Sequence, residues 1–439
     1  MSQALDIDVL VSELITNDDI SAKQKIVGEI FKMAKAKGIF LASIHDLYKA
    51  RGEGKWSDFT VPAMNLRCLT YYLAKAIFRV ANKTNAGAFI FEIAKSEMGY
   101  TGQPPIEYTG VILAAAVKEN FSGPVFIQGD HCQLKAKAFF ADPKKEVTAV
   151  KHLLEDCIAS GFYNIDIDSS TLVDLDKKTT AEQQENNFKV CAELTEHIRK
   201  IQPEGIMVSA GGEIGEVGGK NSTVEELKAF MDGYLACLPP GTEGISKISI
   251  QTGTSHGGVV LPDGTMAQVK VDFDCIKTLS KYARDNYGIS GAVQHGASTL
   301  PSNAFGKFPE MDTVEIHLAT NFQNMMFDSV LFPKELKEKM YLWVKKNCAD
   351  EKKANQTEEQ FVYSARKKAL GPFKKEIFAL PEKIKEGIAQ EMEAKFDFLF
   401  KQLKVGNTKA IVGQFIKRKD VELGLNKQAK AILDGEGDD

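Results

Sequence analysis

The stretch between residues 124 and 170 decides the fold, because it contains a strand, a helix and a second strand in succession. PVFIQGDH (124–131) and NIDIDSS (164–170) are short β-rich runs, and KEVTAVKHLLEDCIASGF (145–162) between them has the apolar spacing of a helix. This alternation indicates parallel strands covered by helices. Both runs end in polar residues, the first at Asp130–His131 and the second after Asp168.

Six further runs of the same kind extend this unit in both directions. They are FTVPAMN (59–65), GAFIFEIA (87–94), IMVSAGGEIG (206–215), KISIQTGTSHG (247–257), ISGAVQHGAS (289–298) and TVEIHLATN (313–321). Eight strand–helix units predict an α/β protein built as a closed (β/α)8 TIM barrel. The polar strand ends should then meet at one rim, whereas an open doubly wound sheet would spread them along a crevice.

Helical patterns occupy both ends of the 439-residue chain. Residues 1–50 contain no proline and repeat apolar residues at helical spacing, and so does EKIKEGIAQEMEAKFDFLFKQL (382–403). We therefore predict an N-terminal helical arm over residues 1–55, a barrel over 56–330 and a C-terminal helical extension over 331–439.

Composition excludes several classes of protein. Hydrophobic residues make up 44% and charged residues 26%, the net charge is -4, and no apolar run is long enough to span a bilayer. A nucleic-acid or anionic-membrane binder is usually basic, so we expect neither partner. The acidic start of the chain is unlike a secretory leader, and the seven cysteines form no C-x-x-C pair. We expect reduced thiols and a cytoplasmic metabolic enzyme.

Three of the seven histidines fall at predicted strand ends, namely His131, His256 and His295. Three imidazole ligands suit Zn²⁺ and leave a coordination position open for a substrate. Glu213 ends the fifth run and is a candidate fourth or alternate ligand, while Asp168 is a candidate ligand of the same ion or of a second cation. The alternative is that these histidines are hydrogen-bonded structural residues. We expect the remaining helical histidines, His45, His152 and His197, to be solvated.

Glycine-rich turns lie beside the candidate metal ligands. They are GGEIGEVGGKNST (211–223), GTSHGG (253–258) and HGAS (295–298). Bare backbone N–H groups in such turns bind phosphate, and the chain contains no Walker A motif and no dinucleotide-binding fingerprint. Each turn has an alternative explanation as a simple tight turn.

Taken in order, these motifs resemble the zinc-dependent class II ketose-bisphosphate aldolases, including the fructose-bisphosphate aldolases. The similarity extends over roughly residues 58–325. The matching elements are PAMN (62–65), Asp130–His131, Ile167–Ser170, Glu213–Gly215 with Gly218–Gly219, Gly253–Gly257 and His295–Ser298. Each element is common alone, and the ordered set is specific.

The resemblance implies reversible cleavage of a phosphorylated ketose, such as fructose 1,6-bisphosphate, to dihydroxyacetone phosphate and glyceraldehyde 3-phosphate. It implies zinc on His131, His256 and His295, with Glu213 at the metal site. Asp130 matches the catalytic aspartate that takes the C4 hydroxyl proton before zinc stabilises the enediolate. It also implies a homodimer with a role in glycolysis and gluconeogenesis.

Candidate substrate and phosphate contacts follow from the same resemblance. They are Asn65, Gly257, Gly296, Ser298 and Thr320. Arg366, with Tyr363, Lys367 and Lys374, is a candidate distal phosphate clamp in the C-terminal helices, or else part of a solvated basic face.

The sequence departs from the family where proton transfer and phosphate binding are concerned. Lys220 and Asn221 occupy positions that are often acidic, so Glu216 is the candidate proton donor. The family's N-I-D-T-D reads His317-Leu-Ala-Thr-Asn, and His317 is either a substrate contact or a structural residue. Two alternatives therefore stay open: a noncatalytic accessory subunit like that of tagatose-bisphosphate aldolase, or an aldolase for another sugar phosphate.

Overall fold

The computed structural model describes residues 6–215, 220–254, 271–298, 300–425, 431 and 433. The strands in these residues are β1 (Ile39–Leu41), β2 (Val61–Asn65), β3 (Ile90–Ala94), β4 (Gly123–Gln133), β5 (Asn164–Asp168), β6 (Ser209–Glu213), β7 (Lys247–Ile250), β8 (Ala292–Gln294) and β9 (Glu315–Leu318). Strands β2 to β9 pair in chain order, all parallel, and β9 closes the ring on β2. The predicted TIM barrel is confirmed, and each of the eight predicted runs coincides with or overlaps one strand.

Helices surround this barrel and form both extensions. The first nine are α1 (Ile7–Thr16), α2 (Ile20–Ala36), α3 (His45–Gly52), α4 (Thr70–Thr84), α5 (Lys95–Thr101), α6 (Pro105–Lys118), α7 (Ala136–Ala141), α8 (Pro143–Ala159) and α9 (Thr180–Gln183). The others are α10 (Glu185–Ile201), α11 (Val224–Cys237), α12 (Phe273–Tyr287), α13 (Lys307–Glu310), α14 (Thr320–Asp328), α15 (Lys334–Asn347), α16 (Glu358–Ala365), α17 (Lys374–Phe378), α18 (Glu382–Gln402) and α19 (Lys409–Phe415). None of the helices described combines the length and the apolar character that crossing a membrane requires.

The N-terminal arm is not entirely helical, which corrects the prediction for residues 1–50. Strand β1 pairs in parallel with the first residues of β4, from Gly123 to Val125, outside the barrel ring. Gly38, with φ +75°, turns the chain out of α2 and into this strand. Three residues are too few to produce a recognisable alternation between two long helical patterns, so sequence periodicity missed β1.

Both extensions pack against the outer helices of the barrel. Helices α1 and α2 lie on α6, and α18 lies on α4. Glu107 of α6 is buried and pairs at 2.5 Å with Lys23 of the arm and at 2.5 Å with Lys374 of the C-terminal extension. One carboxylate therefore links all three segments, and their assignment as separate domains stays a prediction.

Candidate active site

A bulge in β4 brings two consecutive side chains to the mouth of the barrel. Gly129 pairs with Ile165 and Cys132 pairs with Ile167. Between these two pairs β4 advances by three residues while β5 advances by two, so β4 contains one extra residue. His131 adopts φ +39°, a left-handed conformation that is uncommon for residues other than glycine. Neighbouring side chains of a regular strand point to opposite faces, and the extra residue removes this constraint. Asp130 and His131 consequently both line the same cavity.

His131, Glu213 and His295 form a buried group that fits a metal ion. One ligand atom from each lies within 4.8 Å of the other two, and the rings of His131 and His295 are 4.4 Å apart. Imidazole nitrogen and carboxylate oxygen are the donors that Zn²⁺ commonly takes. His256, the third predicted histidine ligand, lies outside the described residues, as do Glu216 and Gly257.

Asp168 orients one of these candidate ligands. Its Oδ2 atom lies 3.0 Å from His131 Nδ1, and its Oδ1 atom accepts hydrogen bonds from the backbone N–H and hydroxyl of Ser170. The Ser249 hydroxyl similarly lies 2.9 Å from His295 Nε2. Such outer partners fix the ring orientation of metal-binding histidines.

The electrostatics of the group also favour a cation. Burial raises the pKa of Glu213 well above its usual value, and the nearby Asp168 carboxylate raises it further. Burial opposes charge on His131, but Asp130, Asp168 and Glu213 together raise the pKa of its ring well above the ordinary value. Neighbouring carboxyl groups thus oppose negative charge on Glu213, and a divalent cation would offset this repulsion.

His317 lies beside Asp130 in the same cavity. Its Nδ1 atom is 3.2 Å from Asp130 Oδ1 and 3.0 Å from Glu92 Oε2. Burial alone would raise the pKa of Asp130, but the imidazoles of His131 and His317 hold it well below its usual range. Asp130 is therefore an ionised carboxylate that faces the cavity, which is the state a general base requires.

A layer of buried polar side chains lies beneath these residues, inside the barrel. Lys247 Nζ is 2.9 Å from Asp166 Oδ1, 2.5 Å from Glu315 Oε1 and 2.8 Å from Gln128 Oε1. Sequence reasoning missed this layer. The signal was the alternation in FIQGD, NIDID, KISI and VEIH, because residues two apart on a strand share a face. Asp166, Gln128 and Glu315 therefore point inward below Asp168, Asp130 and His317.

Replacing Glu92 by glutamine should make the stability of the protein less sensitive to pH. Burial, reinforced by the Asp130 carboxylate, raises the pKa of Glu92 from 4.5 to about 8. The folded protein then holds a proton that the unfolded chain releases, so stability should fall as the pH rises from 4.5 to 8. Glutamine cannot titrate, so the Tm of Glu92→Gln should fall less than that of the parent as the pH rises through this interval. The difference in Tm, variant minus parent, should therefore increase with pH. Glu204→Gln, at an exposed position, is the control. The prediction would be contradicted if the Tm of Glu92→Gln and the Tm of the parent changed equally with pH.

The part of the cavity wall that follows β8 has features that suit a phosphate. Gly296, with φ +67°, and Ser298 follow β8, and the Ser298 hydroxyl accepts a hydrogen bond of 2.7 Å from the backbone N–H of Ala319. Thr320 begins α14 beside them and also lines the cavity. Backbone N–H groups at a helix N-terminus and in glycine turns favour anions.

Asn65 is not among the residues that line the cavity. It is buried at the end of β2, where its amide donates a hydrogen bond of 2.5 Å to Glu97 Oε2. Glu97 also pairs with Arg67, and both of these side chains do reach the cavity wall. A role of Asn65 in substrate binding stays a prediction.

Residues of the C-terminal extension cover the cavity, whose volume is about 470 Å³. The covering side chains, here called the roof, are Lys353, Asn355, Gln356, Gln360, Tyr363, Ser364 and Lys367. They reach the barrel mouth from more than 30 positions beyond β9, a contact that local sequence patterns do not encode.

Arg366 lies outside the roof. It is buried, with Nη2 2.6 Å from Asn324 Oδ1 and its guanidinium stacked on the rings of Phe327 and Tyr363. Of the predicted clamp residues, Tyr363 and Lys367 line the cavity, whereas Lys374 pairs with Glu107.

The expectation that the helical histidines are solvated needs correction, because none of the three is exposed, and His152 is half-buried on α8. His45 is buried at the start of α3, where its Nε2 atom lies 3.4 Å from Glu243. His197 is half-buried in α10, 3.3 Å from Glu155. Both helices pack closely against the barrel, and periodicity alone did not show which of their faces is covered.

Comparison with known structures agrees with the barrel. A structure described as a probable tagatose 6 phosphate kinase from Sinorhizobium meliloti 1021 is 14% identical, with 81% of this chain and 99% of that chain covered and a TM-score of 0.54. The fructose-bisphosphate aldolase of Campylobacter jejuni is 17% identical, with coverages of 84% and 97% and a TM-score of 0.47. The YdjI aldolase of Escherichia coli K12 is 14% identical, with coverages of 78% and 99% and a TM-score of 0.42.

The sequence comparison identifies the family of the chain, which the structural comparisons do not. No curated protein matches the chain closely enough to count as a relative. The model of the family described as fructose-bisphosphate aldolase class-II matches residues 47–388, a span that includes the eight barrel strands, the candidate metal-binding group and the roof. The chain therefore belongs to the class II fructose-bisphosphate aldolase family.

Proposed function

We propose that the protein is a metal-dependent aldolase that reversibly cleaves a phosphorylated ketose, with fructose 1,6-bisphosphate as the first substrate to test. The observation that carries the proposal is the bulge in β4, which presents a carboxyl group, Asp130, next to a candidate metal ligand, His131. Family membership supports aldol cleavage as the reaction class. A cytoplasmic homodimer stays a prediction.

His131, His295 and Glu213 would hold the metal, together with His256 as predicted from the sequence. Zinc bound there would supply a Lewis acid for the ketose carbonyl. Asp168 keeps the His131 ring in place through the contact at Nδ1. Since the Asp168 oxygens already contact His131, Ser170 and Gln133, we assign it this orienting role rather than a second cation.

Asp130 would act as the base that starts cleavage. It takes the proton of the C4 hydroxyl, the C4–O bond gains double-bond character, and the C3–C4 bond breaks. The electron pair stays on C3 next to the carbonyl, and a proton delivered to C3 completes the ketone product. Glu216 is the candidate donor of this proton, as predicted from the sequence.

The two ends of the substrate would meet different anion sites. Gly296, Ser298 and Thr320 would bind the phosphoryl group near the metal, because they combine a glycine turn with a helix N-terminus. Lys353 and Lys367 of the roof also line the cavity, and their two ammonium groups would bind a second phosphoryl group. This arrangement favours a bisphosphate over a monophosphate.

Replacing Lys367 by methionine should weaken that preference. A hydrogen bond to a charged group contributes about 1.5–3 kcal/mol, so kcat/KM for fructose 1,6-bisphosphate should fall roughly 10- to 100-fold. Cleavage of fructose 1-phosphate should change little, because it lacks the distal group. Lys346→Met, on an exposed position of α15, is the control. Equal losses for both substrates would show that Lys367 acts elsewhere.

The function itself is tested by bound metal and product release. We expect zinc in the purified protein, triose phosphate from fructose 1,6-bisphosphate, and loss of this activity on chelation with recovery when zinc returns. Cleavage that survives chelation would contradict the metal mechanism. Zinc-loaded protein that cleaves no ketose phosphate would instead favour the accessory-subunit alternative. The departures from the family's N-I-D-T-D at the end of β9 and the start of α14 are the sequence features that favour this alternative.

A further inference from the structure

The ring of His317 is held from three directions. Its Nε2 atom lies 2.7 Å from Glu315 Oε1, two residues earlier on the same strand and on the same inward face. Its Nδ1 atom faces both Asp130 and Glu92, at 3.2 and 3.0 Å. One ring face lies against His295, with 4.1 Å between the ring centroids. These contacts leave the ring little freedom to turn.

The support of this ring extends to the opposite end of the barrel. Glu315 pairs with Lys247 and accepts a hydrogen bond from the hydroxyl of Tyr48, a side chain of α3 in the N-terminal arm. Both Glu315 and Lys247 are almost completely buried. A continuous series of polar contacts thus runs from the arm through the barrel interior to Asp130.

We propose that His317 is a positioning residue of the aldolase: its ring, fixed by Glu315, holds the Asp130 carboxylate toward the cavity. The inference rests on the proposed function and goes beyond it, because the resembling family has asparagine at this position. Imidazole carries nitrogens at opposite sides of a rigid ring and contacts Glu315 and Asp130 at once. A side-chain amide is shorter and would have to give up one of these two contacts.

The same geometry explains why the residue at position 317 should affect the rate of cleavage. Glu92 Oε2 and Asp130 Oδ1 both lie within ion-pair distance of His317 Nδ1, and Glu92 Oε2 also accepts a hydrogen bond from Gln128 Nε2. Removing the ring therefore takes this neighbour away from Asp130, while Glu92 keeps its amide donor. Asp130 should then turn from the substrate hydroxyl. A displacement of about 1 Å in a catalytic group lowers the rate on the order of 10²-fold.

The test uses His317→Ala and His317→Asn in the zinc-loaded protein. His317→Ala should lose on the order of 10²-fold in kcat, with KM nearly unchanged and zinc content equal to that of the parent. Added imidazole should restore part of this kcat, because the ring space opens on the cavity, and should not activate the parent. His317→Asn keeps one donor and should retain more activity than His317→Ala. His152→Asn, on α8 away from the cavity, is the matched control.

Thermal shift measurements give a readout that does not depend on turnover. Imidazole should raise the Tm of His317→Ala but raise it much less in the double variant Asp130→Asn/His317→Ala, since the added ring would lack its carboxylate partner. Unchanged kcat in both single variants would overturn the inference, and so would a loss of kcat that follows a loss of zinc. Failure of the parent to cleave any ketose phosphate would overturn the proposed function, while the thermal shift would still decide whether the ring contacts Asp130.

Discussion

Replacing Asp130 by asparagine should lower kcat for ketose-bisphosphate cleavage by roughly 10²- to 10⁴-fold, the usual contribution of a general base. Asparagine has nearly the same shape but cannot accept the hydroxyl proton. The zinc content should stay close to that of the parent, because the candidate ligands His131, Glu213 and His295 are untouched. Triose-phosphate release in a coupled assay and elemental analysis of the same samples provide the two measurements.

A surface substitution of the same kind separates this effect from general damage. Asp285→Asn removes a carboxylate from the exposed side of α12, where it pairs with Lys281, and should leave kcat unchanged. If Asp130→Asn bound zinc normally and retained parental kcat, Asp130 would not be the base. The acid–base role would then pass to another residue of the cavity, and Glu92, which contacts the same His317 ring, would be the next carboxyl group to test.

Replacing Lys247 by methionine should destabilise the protein more than any surface substitution. The ammonium group is 1% exposed and lies between Asp166 and Glu315, which would be left buried without their cation. Removing one partner of a buried ion pair costs about 3–5 kcal/mol. The free energy of unfolding in urea at neutral pH should fall by this amount, or the variant should fail to accumulate as folded protein.

The control for Lys247 is a lysine in an exposed pair. Lys228→Met breaks a pair with Asp232 on the outside of α11 and should change stability by less than about 1 kcal/mol. Adding Glu315→Gln to Lys247→Met should recover part of the loss, since one of the orphaned charges is removed. Equal stability of Lys247→Met and the parent would show that the barrel interior does not depend on this cation.

Sequence reasoning identified the barrel because its signals are local. Each strand is a short apolar run, each helix has its own periodicity, and the polar strand ends lie at adjacent positions such as Asp130 and His131. The short strand β1 was missed because three residues carry no periodic signal. Part of the roof was missed for a different reason: Lys353 and Gln360 reach the cavity only through the packing of the whole C-terminal extension, whereas Tyr363 and Lys367 were candidates from the sequence.

The sequence predicted the site residues that lie at strand ends, and it did not predict the charged residues that lie within the strands. His131, Glu213, His295 and Asp168 lie together, and their roles in metal binding stay predictions. The inward charges Asp166, Lys247 and Glu315 were not recognised, because a buried charge within a strand is expected only when its partners on distant strands are known. Arg366 was predicted from charge alone, and charge does not distinguish a cavity wall from an aromatic packing site.

The bulge in β4 means that this site is encoded partly by the number of residues in a strand. On a regular strand with the same Asp–His dipeptide, one of the two side chains would enter the layer of helices instead of the mouth. Deleting Cys132, which would restore regular pairing with β5 while both Asp130 and His131 remain in the chain, should therefore turn one of these two side chains away from the mouth. Grafting the site onto another barrel would likewise require an insertion, since no set of substitutions alone supplies the additional residue.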